Sequence, residues 1–267
     1  MPNHITDKNI KGSEPSEEEF GADRTQRCID LMRPEVKVLL DLPLKKKIEK
    51  TEEIIRQTIK EYKNPGIAFS GGADSEAMLH IAMKVKHDWP VLFVDTRYEF
   101  PETFDFVEKL RKDWDLESFT MVRAGTDRAD EFKKKYGLGT ADFTLEFNKW
   151  HKIDPLIRGI KQLGLDAFLG GIRGVEHEER AKEQLFSPRM DPPHIRVHPI
   201  LFWTRDDVQT YLKDNKLPHN PVYDKGYTSL GSTLDTFPNK SPKMHERAGR
   251  GVERERIMEQ LRSLGYN

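Results

Sequence analysis

Ser70-Gly71-Gly72-Ala73-Asp74-Ser75 gathers two glycines, two hydroxyls and a carboxylate directly after the apolar run Ile67-Ala68-Phe69 and before a segment of helical spacing. Gly71 and Gly72 let backbone N–H groups approach an anion. The hydroxyls of Ser70 and Ser75 add donors, and the helix opening near Asp74 brings its positive dipole end to the same place. The chemistry suited to such a loop is phosphate binding. It lacks the Gly-x-x-x-x-Gly-Lys-Ser/Thr spacing of a Walker loop, so γ-phosphate transfer on that scaffold is not indicated. The structural alternative is a Gly-Gly turn in which Asp74 or Ser75 merely caps a helix.

Further candidates lie downstream. Arg173 follows Ala167-Phe168-Leu169 and Gly170-Gly171, so an always-charged planar fork leaves a strand end where it can meet a phosphate or sulfate oxygen. Asp95 closes the apolar run Val91-Leu92-Phe93-Val94. Arg180 and Lys182 sit among Glu176, Glu178, Glu179 and Glu183, and serve either an anion or a solvated charged helix. Gly226, Tyr227 and Ser229 belong to a glycine- and hydroxyl-rich stretch, Tyr223 to Ser232, that suits a loop packed on a nucleotide. Its alternative is a turn whose tyrosines fill a groove. Arg247 and Arg250 either close over the phosphate or form an exposed basic turn. His177, His194, His198 and His219 match no zinc spacing.

The elements that must position these groups are legible from periodicity. Leu44, Ile48, Ile55, Ile59 and Tyr62 follow helical spacing until Asn64-Pro65-Gly66 stops it. Strands are expected at Ile67–Phe69, Val91–Val94, Phe119–Val122, Ala167–Leu169 and Ile195–Leu201. Helices are expected from near Asp74, from Pro101 to about Lys112, from near Ile153 to Leu163, after Thr204, and from about Val252 to Leu264. Alternating strands and helices mean an α/β fold with a parallel sheet, helices on both faces and right-handed crossovers. Ligands of such sheets lie outside the carboxyl ends of the strands, so the loops after Phe69, Val94 and Leu169 should face one crevice. The organisation expected is an amino-terminal arm at 1–43, partly disordered or helical, a nucleotide-binding domain at 44–217, and a loop-rich carboxyl-terminal extension at 218–267.

Composition narrows the function classes. Forty-four Lys and Arg against forty-five Asp and Glu leave a net charge of -1, so no nucleic-acid partner is expected and phosphate binding must be local. The single cysteine, Cys28, excludes an intrachain disulfide or a Cys-x-x-Cys site. Arg24, Arg27 and Arg33 near it could lower its pKa; the plainer reading is a helix residue without chemistry. No stretch reaches the length of a membrane span, and the polar start lacks the apolar core of a signal peptide. A cytoplasmic protein with a polar, mobile first twenty residues is expected.

Ser-Gly-Gly-x-Asp-Ser after a strand resembles the PP-loop of the ATP pyrophosphatase superfamily, whose members cleave ATP between the α and β phosphates on a Rossmann-like, adenine nucleotide alpha hydrolase-like fold. Asp95-Thr96-Arg97-Tyr98-Glu99-Phe100-Pro101-Glu102-Thr103 is similar to a segment of the family containing phosphoadenosine phosphosulfate (PAPS) reductase, the small subunit of sulfate adenylyltransferase, and FAD synthase. Gly170-Gly171-Ile172-Arg173, Arg180-Ala181-Lys182-Glu183 and Phe186-Ser187 resemble the adenylyltransferase subunit. Tyr223 to Gly231 resembles FAD synthases, and Glu246-Arg247-Ala248-Gly249-Arg250 resembles sulfonucleotide reductases. The reductases continue to a Glu-Cys-Gly-Leu-His segment with the nucleophilic thiol. Here the tail reads Glu259-Gln260-Leu261-Arg262-Ser263-Leu264-Gly265-Tyr266-Asn267.

The resemblance, with that departure, implies adenylyl transfer from ATP with Mg²⁺ to sulfate or FMN. Ser70, Gly71, Gly72, Asp74, Ser75, Asp95, Gly171, Gly226, Tyr227 and Ser229 would bind the nucleotide. Arg173, Lys225, Arg247 and Arg250 would neutralise phosphates, and a sulfate acceptor would imply a GTPase-type large subunit. The alternative is a PAPS reductase-like protein of sulfate assimilation that takes its thiol or electrons from a redox partner. A third reading is a nucleotide sensor without turnover. A second copy of the chain stays open as a partner.

Overall fold

A computed structural model describes residues 16–241 and 243–265. The first strand, β1 (Pro65–Ala68), starts two residues before the apolar run because Asp166 accepts the backbone N–H groups of Lys63 and Asn64 at 2.8 and 2.9 Å, tying the end of the preceding helix to the next strand over. Proline is tolerated there as the first strand residue. The other strands are β2 (Val91–Asp95), β3 (Phe119–Arg123), β4 (Ala167–Leu169), β5 (Phe186–Met190) and β6 (Pro193–Val197).

They form one six-stranded sheet in the order β3-β2-β1-β4-β6-β5, parallel at every step except the final β6–β5 pair. Ile67 stands between Val91 and Leu169, so the central strand is apolar on both sides of its ladder. Alternate side chains feed two cores, as the pleat requires. Val91, Phe93, Ile67 and Leu169 pack on one face with Ala77, Met78 and Ile81 of the helix Ala73–Val85. Leu92, Val122 and Phe168 pack on the other with Ile160 of the helix Asp154–Leu163. Burial on both faces is why the strands read as continuous apolar runs.

Three elements depart from the sequence reading. The antiparallel strand β5 was not expected, because Pro188, Pro192 and Pro193 suggest loop; an edge strand tolerates them. The last strand, expected to run to Leu201, ends at Val197, and Ile200, Leu201, Phe202 and Trp203 turn into the core with no exposure above 0%. The carboxyl-terminal helix divides at Ile257 into Val252–Arg256 and Met258–Ser263. Between β3 and β4 lie two helices, Ala129–Tyr136 and Ala141–Asn148, and then a π-helical turn, Lys149–Ile153, that runs into Asp154–Leu163.

The polar start expected to be mobile lies, up to residue 15, outside the described residues. From residue 16 the chain forms short helices whose Cys28, Met32 and Val36 enter the main core, while Phe20 packs on Ala248 and Val252 near the carboxyl end. No helix among the described residues is long and apolar enough to cross a membrane.

Candidate functional site

The phosphate-type loop leaves β1 and is closed by its own hydroxyls. Ser75 Oγ accepts the Ser70 N–H at 3.2 Å, lies 3.0 Å from Ser70 Oγ and donates to the Gly72 carbonyl at 2.8 Å. The loop is then held by the carboxyl-terminal extension. Asn220 Nδ2 donates to the Gly71 carbonyl and to Thr103 Oγ1, and the Tyr223 hydroxyl accepts the Ala73 N–H at 3.0 Å. Gly171, after β4, presses on this loop: a β-carbon there would meet Ser75 Cα at 2.9 Å and the Asp74 carbonyl at 3.0 Å. Two strand-end loops thus touch through backbone, which only glycine allows.

Ser70, Gly72, Asp74, Ser75, Gly171 and Arg173 line a cavity of ≈ 220 Å³ together with Ser229, Arg247 and Arg250 from the extension. Its opposite wall is apolar, built from Leu92, Ile153, Leu156 and Phe168. The carboxyl ends of the strands and the tail therefore enclose one site, with cations distributed at two places.

At the first place, Arg173 is caged by acids. Its Nε donates to Asp74 Oδ1 at 2.7 Å, its Nη2 donates to Glu246 Oε2 at 2.8 Å, and Glu176 lies 3.6 Å away. Arg173 is 2% exposed, yet the three carboxylates outweigh burial and hold its charge firmly. Burial pushes the Asp74 carboxyl up to about 6, helped by Glu176 and Glu246 and opposed by Arg173. Glu176, though buried, is held well below the carboxylate range by Arg180, Arg173 and Arg247. Arg173 Nη1 keeps no hydrogen-bond partner among the described residues.

The second place gathers several arginines. Arg247 is bound bidentately by Glu255 at 2.9 and 2.7 Å. Arg254 reaches the same Glu255 at 3.3 Å and Asp235 at 3.2 Å, and Arg250 reaches that Asp235 at 3.5 Å while donating to the Leu230 carbonyl. Arg24 adds a fourth guanidinium 3.3 Å from Glu255. Arg24 also pairs with Glu178 at 3.0 Å and Arg247 lies 3.8 Å from Glu176, so four carboxylates serve these four arginines, and Lys152 lines the cavity. Lys152 falls to about 7 through burial and Arg254, against Glu99, and Arg250 and Arg254 are lowered chiefly by burial, whereas Arg247, despite burial, is held above the usual range by Glu255.

Several expected site residues lie elsewhere. Lys225 is on the surface, its side chain 55% exposed and paired with Glu102, because the short helix Pro221–Lys225 turns it outward; it does not line the cavity. Gly226 caps that helix, and Tyr227 packs edge-on against Phe100 with centroids 5.0 Å apart. Asp95 is fully buried and shapes its own turn, accepting the Arg97 N–H at 2.7 Å and pairing with Arg123. Gly71 turns the loop at φ 73° behind the cavity. Arg180 is no solvated charge: it is buried on Glu176 and lines the cavity, whereas Lys182 is exposed on Glu179.

Cys28 has 0% exposure, and burial, with Glu178, pushes its thiol up to about 12 in spite of Arg24 and Arg27. This agrees with the plainer reading, a helix residue without chemistry, and Arg24, which could have lowered the thiol, is spent on Glu178 and Glu255. The histidines are dispersed, and among the described residues no group of three His, Cys, Asp or Glu is placed to hold a metal.

Reasoning from sequence missed Lys152, Arg205 and Arg254 as lining residues. Arg254 lies on the short helix Val252–Arg256 that follows the bridge between Thr236 and Arg250. Lys152 carried no local signal, since the π turn that presents it is invisible in periodicity; such turns often mark functional sites.

Residues 64–238 match the family model described as the phosphoadenosine phosphosulfate reductase domain. A protein of Xylella fastidiosa named phosphoadenosine 5'-phosphosulfate reductase is 31% identical over 196 residues, which are 72% of this chain and 81% of that protein. A Vibrio cholerae protein of the same name is 30% identical over 196 residues, 72% of this chain and 76% of that one. Among solved structures, the PAPS reductase from Candida auris, in a phosphate complex, superposes at TM-score 0.57 with 24% identity over 83% of this chain and 97% of that chain. The FMN adenylyltransferase of Candida glabrata with FAD and inorganic pyrophosphate gives TM-score 0.59 with 17% identity over 83% of this chain and 76% of that chain. Both structures share the fold.

Proposed function

Because this chain belongs to the phosphoadenosine phosphosulfate reductase family, within the PP-loop superfamily, we propose that it binds a sulfonucleotide and presents its sulfuryl sulfur to a thiol supplied from outside these 267 residues. The observation that carries this reading is the gathering of Arg247, Arg250 and Arg254, which share Asp235 and Glu255, on the lining of the same cavity as the Ser70 to Ser75 loop. A ligand with separated anionic groups suits such a cavity, and the wall of Leu92, Ile153, Leu156 and Phe168 suits a purine.

In the reaction proposed, a thiolate attacks sulfur, the sulfur–oxygen bond to the nucleotide breaks, and the nucleotide leaves with that oxygen as a phosphate. A second thiol of the same dithiol then attacks the sulfur-bearing thiol. Sulfite is released and a disulfide forms, so the dithiol supplies both electrons. The protein's contribution is positioning and charge: Arg250, Arg254 and Lys152 hold the anionic end, and the Ser70 to Ser75 loop with Arg173 Nη1 holds phosphate. Cys28 takes no part, since it is fully buried and absent from the cavity lining.

A second reading is adenylyl transfer from ATP to sulfate or FMN, favoured by the lack of a thiol among the cavity-lining residues. Asp74, the acid nearest the loop, is engaged by Arg173, so Mg²⁺ in that reading is carried by the nucleotide phosphates and not by a protein cage. Titration with PAPS, followed by sulfite assays with and without a small dithiol protein of the thioredoxin type, separates the two. Sulfite formed only with the dithiol supports the first reading. Absence of PAPS binding, with pyrophosphate released from ATP on adding sulfate or FMN, overturns it.

A further inference from the structure

Arg250 is seated in a slot that another residue shapes. Its guanidinium lies against the Leu230–Gly231 backbone, with the Leu230 carbonyl accepting from Nη1 and Asp235 at 3.5 Å from Nη2. A β-carbon at Gly231 would overlap Nη1, Nη2 and Cζ of Arg250 together. Gly231 is not among the residues of positive φ, so space and not backbone conformation excludes a side chain there.

The wall of the slot has little room to yield. Thr228 Oγ1 donates to the Glu246 carbonyl at 2.6 Å, the Thr233 N–H donates to the Tyr98 carbonyl at 2.7 Å, and Ser232 Oγ donates to Asp235 at 3.1 Å. Arg250 is itself 2% exposed, and its Nε has no partner among the described residues. Leu230, Gly231 and Arg250 all line the cavity. A side chain at 231 would therefore displace the guanidinium from its seat, because the backbone is pinned on both sides of the slot.

We infer that Gly231 is a positioning residue: by leaving the slot open it sets how deeply the Arg250 guanidinium sits, and with that the room left for the anionic end of the ligand. This rests on the sulfonucleotide reading for the identity of the anion, while the slot itself is a property of the chain. Gly231 acts through Arg250 and needs no contact with the ligand.

The test is a double-mutant cycle with PAPS as the probe, measured on the wild type, Gly231→Ala, Arg250→Ala and the double variant. Gly231→Ala is expected to weaken binding by about tenfold or more in the wild-type background. In the Arg250→Ala background, where the methyl falls into the emptied slot, the expected loss is under about twofold. Equal losses in both backgrounds, or no loss in the first, overturn the inference. A merely structural role would give equal losses. The same cycle is read on thermal unfolding: the double variant should melt above Gly231→Ala, and a double variant melting no higher overturns the slot. If the wild type fails to bind PAPS, the sulfonucleotide reading falls while the melting cycle still decides the role of Gly231.

Discussion

The two ends of the cavity use the same residue type in opposite ways. Beside the Ser70 to Ser75 loop one arginine, Arg173, is shared by three carboxylates, Asp74, Glu176 and Glu246. In the second group Arg247, Arg250 and Arg254 share Asp235 and Glu255, and Arg24 lies between Glu255 and Glu178. The charge of Arg173 is needed by the folded chain before any ligand arrives. In the second group burial lowers Arg250, Arg254 and Lys152, so their charge is held less firmly. An arginine in a cleft is thus not by itself an anion site; how firmly its neighbours hold its charge decides.

The largest expected effect tests that contrast directly. Arg173→Met removes the shared partner of Asp74 and Glu246 in a buried place, while Glu176 keeps Arg180, and should destabilise the fold by about 3–5 kcal/mol, read from the denaturant midpoint. Arg250→Met removes one member of a repelling set, so its stability change should stay below about 1.5 kcal/mol. Its affinity for PAPS should nevertheless fall by about a hundredfold, as befits a lost charge-assisted contact. Equal losses of stability in the two variants would break the comparison.

Next in size is the contact that joins the first end to the sheet. Gly171→Ala drives a methyl into Ser75 Cα and the Asp74 carbonyl and should weaken nucleotide binding by about tenfold. Gly170→Ala is its control: the nearest atom to a new β-carbon, His198 Nδ1, is 3.7 Å away, and binding should not change in the same titration.

The Ser70 to Ser75 loop and the strands around it were legible in the sequence because their signals are local: glycines, hydroxyls and apolar runs within a few residues. The cage of Arg173 was not, because Asp74 and Glu246 are 99 and 73 residues away in the chain and only the folded sheet brings them together. Lys225 misled for the same reason in reverse. Its neighbours Gly226 and Tyr227 suggested a nucleotide loop, but the direction of its side chain is set by a short helix that composition does not reveal. The strand β5 was hidden by prolines that an edge position accepts. The family model ends at residue 238, so Arg247, Arg250 and Arg254 lie beyond its matched span, and only the fold shows that all three line the cavity.

Titration sharpens the cation-rich end. Lys152, pushed down to about 7 by burial and Arg254, carries less charge as pH rises through that value. A bound anion favours the charged form, so affinity for PAPS should be several-fold higher at pH 6 than at pH 8.5, by up to about tenfold. Lys152→Met should remove that component of the pH dependence, measured as the difference between the two titration curves. A Lys152→Met profile parallel to the wild type would remove Lys152 from the anionic end.

The smallest effects belong to residues outside both ends. Cys28→Ala should lower stability by about 1 kcal/mol through a small cavity. Lys225→Ala, which removes an exposed pair with Glu102, should change PAPS affinity by less than about twofold. A larger loss in the Lys225 variant would mean that the carboxyl-terminal loop moves onto the ligand.

The most direct test of the account is sulfite release from PAPS by the Cys28→Ala variant, with and without a thioredoxin-type dithiol protein. Sulfite formed in step with oxidation of the added dithiol, at the wild-type rate, and none without it, is the result predicted. Sulfite formed by the wild type without any added dithiol and lost on replacing Cys28 would contradict it.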